Sequence, residues 1–458
     1  MIENDAFKLL LINLFHLNPD DIANILCTTF NKMMVLVVTL TDKHQACPYC
    51  GFTAPKIKEY VTKEITHSAL TTQKCIIKYR ARRYKCSCCG KTYYEFNPFV
   101  FKSQKISILT VHNILKDLKD FNETFTSVAR RYHVSPTSVS TIFDKHVDIG
   151  RNPLPEIINF DEVYAFKSEK SKYVCVLLDF KKQIPVDVLP NRKKEYLLNY
   201  FQKIPLEERK KVKYACSDMY EVYRDVVHKV FPSCCMLLDY FHLSQDFHRK
   251  MNEVRIKVMK GYKDNKTSDE YYLLKKFNWL LFKNPEDEDK YGRLFDVERE
   301  RKYNSHFKSY MNYYDLRKKL LEINNDLTIC YSLKLELVDF YSKSTIDNAK
   351  VNLENLIRSC IDTNIDEMIA FSNNLINWKQ EIINSFTIVG TEYKVEADKG
   401  QVVVCNKKVN NAIIENRNKI IKCIKNNANG YTNWLRFRNR VMYVLDPNAT
   451  FSLEPREK

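Results

Sequence analysis

The chain has 458 residues, 45% of them hydrophobic and 28% charged, which is apolar material for several packed domains and argues against a disordered protein. Basic residues outnumber acidic ones 73 to 56, and the net charge of +17 favours a polyanionic partner. Only 8 glycines occur, none in a G-x-G-x-x-G or G-x-x-x-x-G-K pattern, which argues against a dinucleotide fold or a P-loop and for no nucleotide cofactor.

The 15 cysteines lie in a chain without a secretory pattern beside Glu3 and Asp5 and without an uninterrupted apolar run of about 18 residues. They are expected to be reduced thiols or metal ligands in a cytoplasmic protein with no membrane span. Residues 1–30 follow a helical spacing through Phe7, Leu10, Leu11, Leu14 and Phe15, broken at Asn18 and Pro19, with a second short helix expected after Asp20. Residues 33–40 read as a buried strand.

Two C-x-x-C-G knuckles come next, Cys47 with Cys50 and Cys86 with Cys89. Four thiolates in such pairs are the tetrahedral donor set that Zn2+ prefers, and the glycine after each pair lets the turn offer backbone N–H groups to the sulfurs. One structural Zn2+ is expected, against the plain alternative of buried free cysteines. The interval between the knuckles exceeds the usual zinc-ribbon spacing. Within it, residues 74–86 alternate like a strand that could form a hairpin beneath the knuckles. Cys88, Cys75 and His67 are weaker ligand candidates, and Arg80, Arg82, Arg83 and Lys85 suit either phosphate contact or a solvated strand face.

Residues 106–147 read as three helices, with Val128, Ala129 and Tyr132 inward, a turn at His133, Val134 and Ser135, and Pro136 opening the last helix. This is a helix-turn-helix pattern whose second helix enters a major groove. Thr137, Ser138 and Thr141 would face bases, with Arg130 and Arg131 near the backbone; a small helical bundle without DNA contact is the alternative.

From 156 to 243 the elements run strand, strand, strand, helix, strand, helix, strand, the ribonuclease-H-like order. Asp161 closes the first strand and Asp218 follows the fourth. Two carboxylates on adjacent strand ends form a hard-oxygen site suited to Mg2+ and to two-metal phosphoryl transfer. Residues 244–385 turn helical and highly charged, with no strand pattern, and read as a helical insertion. A strand is expected at 401–405 and a helix from Asn411 to Lys425, with an apolar face of Ile413, Ile420, Ile421 and Ile424 and a stripe of Glu415, Asn418 and Lys422. Glu415 is a candidate third metal ligand; a helical Glu is more often a surface charge.

Taken together, these parts resemble the ISL-three family of bacterial insertion-sequence DDE transposases over nearly the whole chain. The resemblance rests on the knuckles, the helix-turn-helix, the N-x-D-E strand at 159–162, D-M-x-x-x-Y at 218–223 and D-x-F-H at 239–242. It extends to the tail motif at 410–418, G-Y-T-N at 430–433 and R-F-R-x-R at 436–440. Asn410, Ala412 and Asn416 depart from the small residues usual around the family's glutamate.

The resemblance implies a multidomain α+β fold, with a ribonuclease-H-like catalytic domain split by an all-helical insertion. Its parts would be a zinc-binding domain at 1–100, a helix-turn-helix at 101–150, catalytic parts at 151–243 and 391–458, and the insertion at 244–390. It implies Asp161, Asp218 and Glu415 as the DDE triad with two Mg2+ (or Mn2+) ions, and Asp239 and His242 as supporting residues, His242 alternatively meeting the phosphate itself. Glu162 is a competing carboxylate. Arg436, Arg438 and Arg440 would hold DNA or form a solvated helix face. Partners would be double-stranded terminal inverted repeats, target DNA and further copies of the chain. Rival readings are a DNA-binding regulator with an inert nuclease-like domain and a structure-specific nuclease.

Overall fold

The computed structural model describes residues 2–456 apart from 44, 69, 71, 103, 167–170 and 396–401. Leu11 and Ile12 of helix α1 (Ile2–Leu14), with Phe15 just after it, pack onto strands β1 (Ile22–Phe30), β2 (Met33–Leu40), β3 (Lys56–Thr66) and β4 (Cys75–Lys85), and β5 (Thr92–Tyr94) follows. These strands form one sheet in the order β1-β2-β4-β3, with β5 on β4. The helix expected after Asp20 is instead a single 3-10 turn, Pro19–Asp21, leading into β1. Ile22 and Ile25 are buried there against β2, so tertiary pairing overrides the helical spacing. The expected hairpin exists: β3 and β4 pair antiparallel from Lys56 opposite Lys85 to Thr66 opposite Ile76.

Three short helices follow, α2 (Ile108–Asp117), α3 (Phe125–Arg131) and α4 (Pro136–His146). Thr124 and Ser127 close a capping box at the start of α3, and Ser135 caps α4 with Pro136 at its first position. The turn between them passes through His133 at φ +53°. Val128, Ala129 and Tyr132 are buried with Val139, Ile142 and Phe143.

The central sheet comprises β6 (Ile157–Val163), β7 (Val174–Asp179) and β8 (Pro185–Leu189), then β9 (Tyr214–Ser217) and β10 (Cys235–Leu238). Helices α5 (Lys194–Gln202) and α6 (Leu206–Arg209) precede β9, and α7 (Glu221–Val230) lies between β9 and β10. The order across the sheet is β10-β9-β6-β7-β8; β6, β9 and β10 run parallel, while β7 is antiparallel to both β6 and β8. Phe160, Leu177, Leu197, Phe201, Tyr223 and Val227 fill the core on one face, under α5 and α7.

Chain then leaves the sheet through α8 (Tyr240–Lys260) into the insertion: α9 (Asp269–Lys276), β11 (Glu288–Asp289), β12 (Gly292–Arg293), β13 (Lys302–Asn304) and β14 (Ser309–Met311) come first. After them follow α10 (Tyr313–Glu322), α11 (Asn325–Lys343), α12 (Ala349–Asp362), α13 (Asp366–Asn377) and α14 (Lys379–Asn384). The insertion is therefore mainly but not wholly helical, because β11 pairs with β12 and β13 with β14 in two short ladders. These pairings span two or three residues, too short for an alternation to register in the sequence. Trp378 is buried in the helical core, and Trp279 packs against it.

A hairpin of β15 (Ile388–Val395) and β16 (Val402–Lys408) returns to α15 (Ala412–Asn427) and α16 (Trp434–Leu445). Residue 401, the first of the expected strand, lies outside the described residues. Ile414, Ile421, Ile424, Phe437 and Val441 cover the second face of the central sheet against Val163, Val174, Val176 and Val188. Among the described residues no helix is long and apolar enough to cross a membrane.

Candidate active site and metal centres

Sheet register sets the first carboxylates. The β6–β9 ladder puts Ile157 opposite Tyr214 and Asn159 opposite Cys216; carried two residues on, it brings Asp161 level with Asp218. The β9–β10 ladder ends with Ser217 opposite Leu238, and one step further Asp239 is level with Asp218. Three aspartates thus stand side by side across three adjacent parallel strands, Asp218 and Asp239 just past the carboxyl ends of β9 and β10. β6 itself continues two residues past Asp161 in its pairing with β7, so Asp161 does not close that strand; what ends beside it is the partner β9.

Helix α15 brings Glu415 in its first turn, held by a latch on β6. Asn159 Nδ2 donates to Asn411 Oδ1 at 2.6 Å and to the Asn410 carbonyl at 2.8 Å. Asn411 Nδ2 donates back to the Phe160 carbonyl at 3.3 Å. One turn along, Asn418 Nδ2 donates to Asp161 Oδ2 at 2.7 Å. The departures from the family pattern are absorbed at this helix start: Asn410 Oδ1 accepts the Ala412 N–H at 3.1 Å, and Ala412 and Asn416 are exposed.

His242, in the first turn of α8, has Nε2 3.8 Å from Asp239 Oδ2 and 3.8 Å from Glu415 Oε1. The donor atoms of Asp239, His242 and Glu415 lie within 4.8 Å of one another. Burial above all, then the neighbouring charges of Asp218 and Glu415, pushes the Asp161 carboxyl up to about 7. Asp218 and Asp239 are also raised, by burial first, with His242 opposing the rise in both.

Divalent-cation fit can be read from unmet groups: Asp218 Oδ1, Asp239 Oδ2 and His242 Nε2 are buried and, among the described residues, without hydrogen-bond partners. Carboxylate oxygens crowded together, raised in pKa and left unsatisfied are what a hard cation relieves. Glu162 is excluded from the cluster. The next residue along a strand faces the other way, and Glu162 pairs with Arg192 and accepts from Tyr223 at 3.3 Å.

The second centre is the knuckle pair. Cys47 Sγ lies 3.7 Å from Cys89 Sγ and Cys50 Sγ 3.5 Å from Cys86 Sγ, and all four sulfurs fall within 4.8 Å of one another. Gly51 and Gly90 take φ of +75° and +72°, the left-handed conformation each knuckle needs. The long interval between the knuckles is the β3–β4 hairpin, which carries the second pair back to the first. Cys75 and His67 are not ligands: Cys75 is buried in the N-terminal core, and His67 is bound to Ser107 Oγ at 2.9 Å and the Phe15 carbonyl at 2.8 Å. Cys88 is exposed and outside the cluster.

The sequence model of the transposase family of ISL3 type matches residues 158–397, more than half of the chain. The chain belongs to the ISL3 family of DDE transposases. It is also similar to the transposase for insertion sequence element IS1001 of Bordetella parapertussis, with 19% identity over 89% of this chain and 91% of that protein. As a member of a catalytic family whose chemistry uses divalent metal, the transposase has in its clustered carboxylates a donor set of the required kind.

The residues expected on DNA divide. Arg130, Thr137 and Thr141 are exposed on α3 and α4 and Ser138 is half-buried beside them. Arg131 is instead engaged by Asp117 and Glu123 within the three-helix unit. The tail arginines face protein, because α16 is wedged between the three-helix unit of α2, α3 and α4 and the sheet. Arg436 makes a two-pronged pair with Asp144, at 2.9 and 2.6 Å. Arg438 binds Asp187 at 2.6 Å. Arg440, 1% exposed, donates to the carbonyls of Asp120 at 2.8 Å and Glu123 at 2.7 Å. In the zinc region Arg82 is likewise paired with buried Glu95, and Arg83 with Glu59.

Asp239, expected as a supporting residue, has a carboxylate oxygen grouped with His242 and Glu415. The available signal was positional: Asp239 follows β10 as directly as Asp218 follows β9.

Proposed function

We propose that this transposase binds the terminal inverted repeats of an insertion sequence, cuts the DNA at the element ends and joins them to target DNA, with Asp161, Asp218 and Glu415 as its catalytic carboxylates. The observation that carries the reading is their convergence: Asp161 within β6 in register with Asp218 just past β9, and a glutamate latched to the same edge through Asn411. The antiparallel β7 and β8 beside parallel β6, β9 and β10 support a ribonuclease-H-like catalytic domain. Two divalent ions, Mg2+ or Mn2+, held by these carboxylates would activate the attacking oxygen and neutralise charge at the leaving one.

The protein's own part is positioning. Asn418 fixes Asp161, the Asn159–Asn411 latch fixes the helix bearing Glu415, and His242 stands between Glu415 and Asp239. Asp239, buried and level with Asp218, joins the proposed ligand set. A structural Zn2+ at Cys47, Cys50, Cys86 and Cys89 would brace the N-terminal sheet. Thr137, Ser138 and Thr141 would read bases while Arg130 meets the backbone. The domain division is that given above, and the working assembly is an oligomer on paired ends in the bacterial cytoplasm.

The test is cleavage and joining of DNA carrying the element ends in Mg2+ or Mn2+, wild type against Asp218→Asn. Activity in the wild type, lost in the variant with binding kept, supports the reading. Sequence-specific binding with no cleavage by either protein sinks it in favour of a regulator.

A further inference from the structure

Carboxylates that attract metal also repel DNA, and the tail arginines expected to offset that repulsion are turned into the fold. A cavity of about 450 Å3 opens at Asp218 and His242, and its remaining lining is Met219, Gln245, Asp246 and Arg249. His242, Gln245 and Arg249 fall on one stripe of α8, three and four residues apart.

Asp246 is 4% exposed and both its oxygens are used. Oδ2 accepts from Asn374 Nδ2 of α13 at 2.7 Å, and Oδ1 pairs with Arg249. An ordinary helix-surface ion pair exposes both partners; here the acid is buried and pinned by a second helix, while the arginine side chain stays 67% exposed. The pair therefore spends one edge of the guanidinium as an anchor and leaves the rest at the cavity rim. A planar fork held this way suits a phosphate better than a mobile lysine does. Arg192, a second arginine whose charge acts on Asp218, is committed to Glu162 and flanked by the rings of Tyr173 and Tyr220.

We propose that Arg249, positioned by Asp246 and Asn374, grips a backbone phosphate of the DNA strand next to the bond presented to the carboxylate cluster, with Gln245 as a neutral donor beside it. The inference rests on the cleavage reading above and adds a DNA-phosphate subsite contributed by the insertion.

The experiment uses the full chain and end DNA carrying a neutral methylphosphonate at one backbone position at a time around the cut. On unmodified DNA, Arg249→Gln lowers kcat/KM for cleavage about tenfold to hundredfold, the loss of one charge-assisted contact. At one position the methylphosphonate costs the wild type the same factor and erases the variant's deficit. Arg249→Lys recovers part of the rate on unmodified DNA, and Asp246→Asn, which keeps the charge but loosens its anchor, raises KM. Binding gives an independent arm: Arg249→Gln reduces the slope of log affinity against log salt by about one. A deficit unchanged at every modified position overturns the proposal, as does an unaltered salt slope. If the wild type cuts no end DNA, the cleavage reading fails by itself and the salt slope still decides whether Arg249 meets phosphate. Unchanged thermal melting of Arg249→Gln separates either result from misfolding.

Discussion

His242 and Glu415 meet with Nε2 3.8 Å from Oε1, joining the start of α8 to the start of α15. The same nitrogen is 3.8 Å from Asp239 Oδ2 and has no hydrogen-bond partner among the described residues, so the imidazole separates two carboxylates without satisfying either. A histidine so placed is expected to support metal binding. His242→Ala is expected to raise the Mg2+ concentration needed for half-maximal cleavage about tenfold to hundredfold, with most of the rate recovered at saturating Mg2+. A rate loss that added Mg2+ does not restore would assign His242 to the phosphate instead.

Asp218→Asn should lower cleavage and joining by at least about 10^3-fold while leaving end binding within about twofold, since it removes a charged ligand and preserves shape. Gel-shift and strand-cleavage assays on one DNA read both quantities.

Metal-free stability should depend on pH with a definite sign. Asp161 sits at about 7 in the folded protein against an ordinary 3.8, so the folded state binds the extra proton between those values. Stability then falls as pH rises through that window. In EDTA the melting temperature should drop between about pH 5 and about pH 7.5, and Mg2+ should suppress the drop. Asp161→Asn should flatten the profile; a profile equally steep in that variant would count against this origin.

Arg440 and Arg130 should behave oppositely although both were expected on DNA. Arg440→Met strands the carbonyls of Asp120 and Glu123 and should cost about 2–4 kcal/mol in stability by denaturant titration. Arg130→Ala should leave stability within about 0.5 kcal/mol and weaken end binding in a salt-dependent way.

Zinc content offers a separate check. The purified chain should carry one Zn2+ by elemental mass spectrometry, and Cys86→Ser should release it. Because metal binding at such a site contributes on the order of 10 kcal/mol to local folding, the N-terminal sheet should lose its protection from hydrogen exchange while the central sheet keeps it.

The sequence by itself determined the order of elements from 156 to 243 apart from the four-residue α6, the four knuckle cysteines and the identity of Asp161, Asp218 and Glu415 as candidates. Short β-rich runs, paired C-x-x-C-G and strand-end acids are local signals, written within a few residues of the atoms they concern. Tertiary structure decided the rest. Residues 22–30 became a strand because β2 lay ready to pair with them, against their own helical spacing. Asp239 joined the cluster through the register of β9 and β10, a relation between strands that no single stretch encodes. The tail arginines carry the same charge whether they face DNA or protein. Only the wedging of α16 between the three-helix unit and the sheet turned Arg436, Arg438 and Arg440 toward Asp144, Asp187 and two backbone carbonyls, leaving Arg249 on α8, among the described residues, as the exposed guanidinium lining the cavity beside Asp218. Side-chain type is local, but what a charge faces depends on packing between distant segments, and that is where the sequence reading ended.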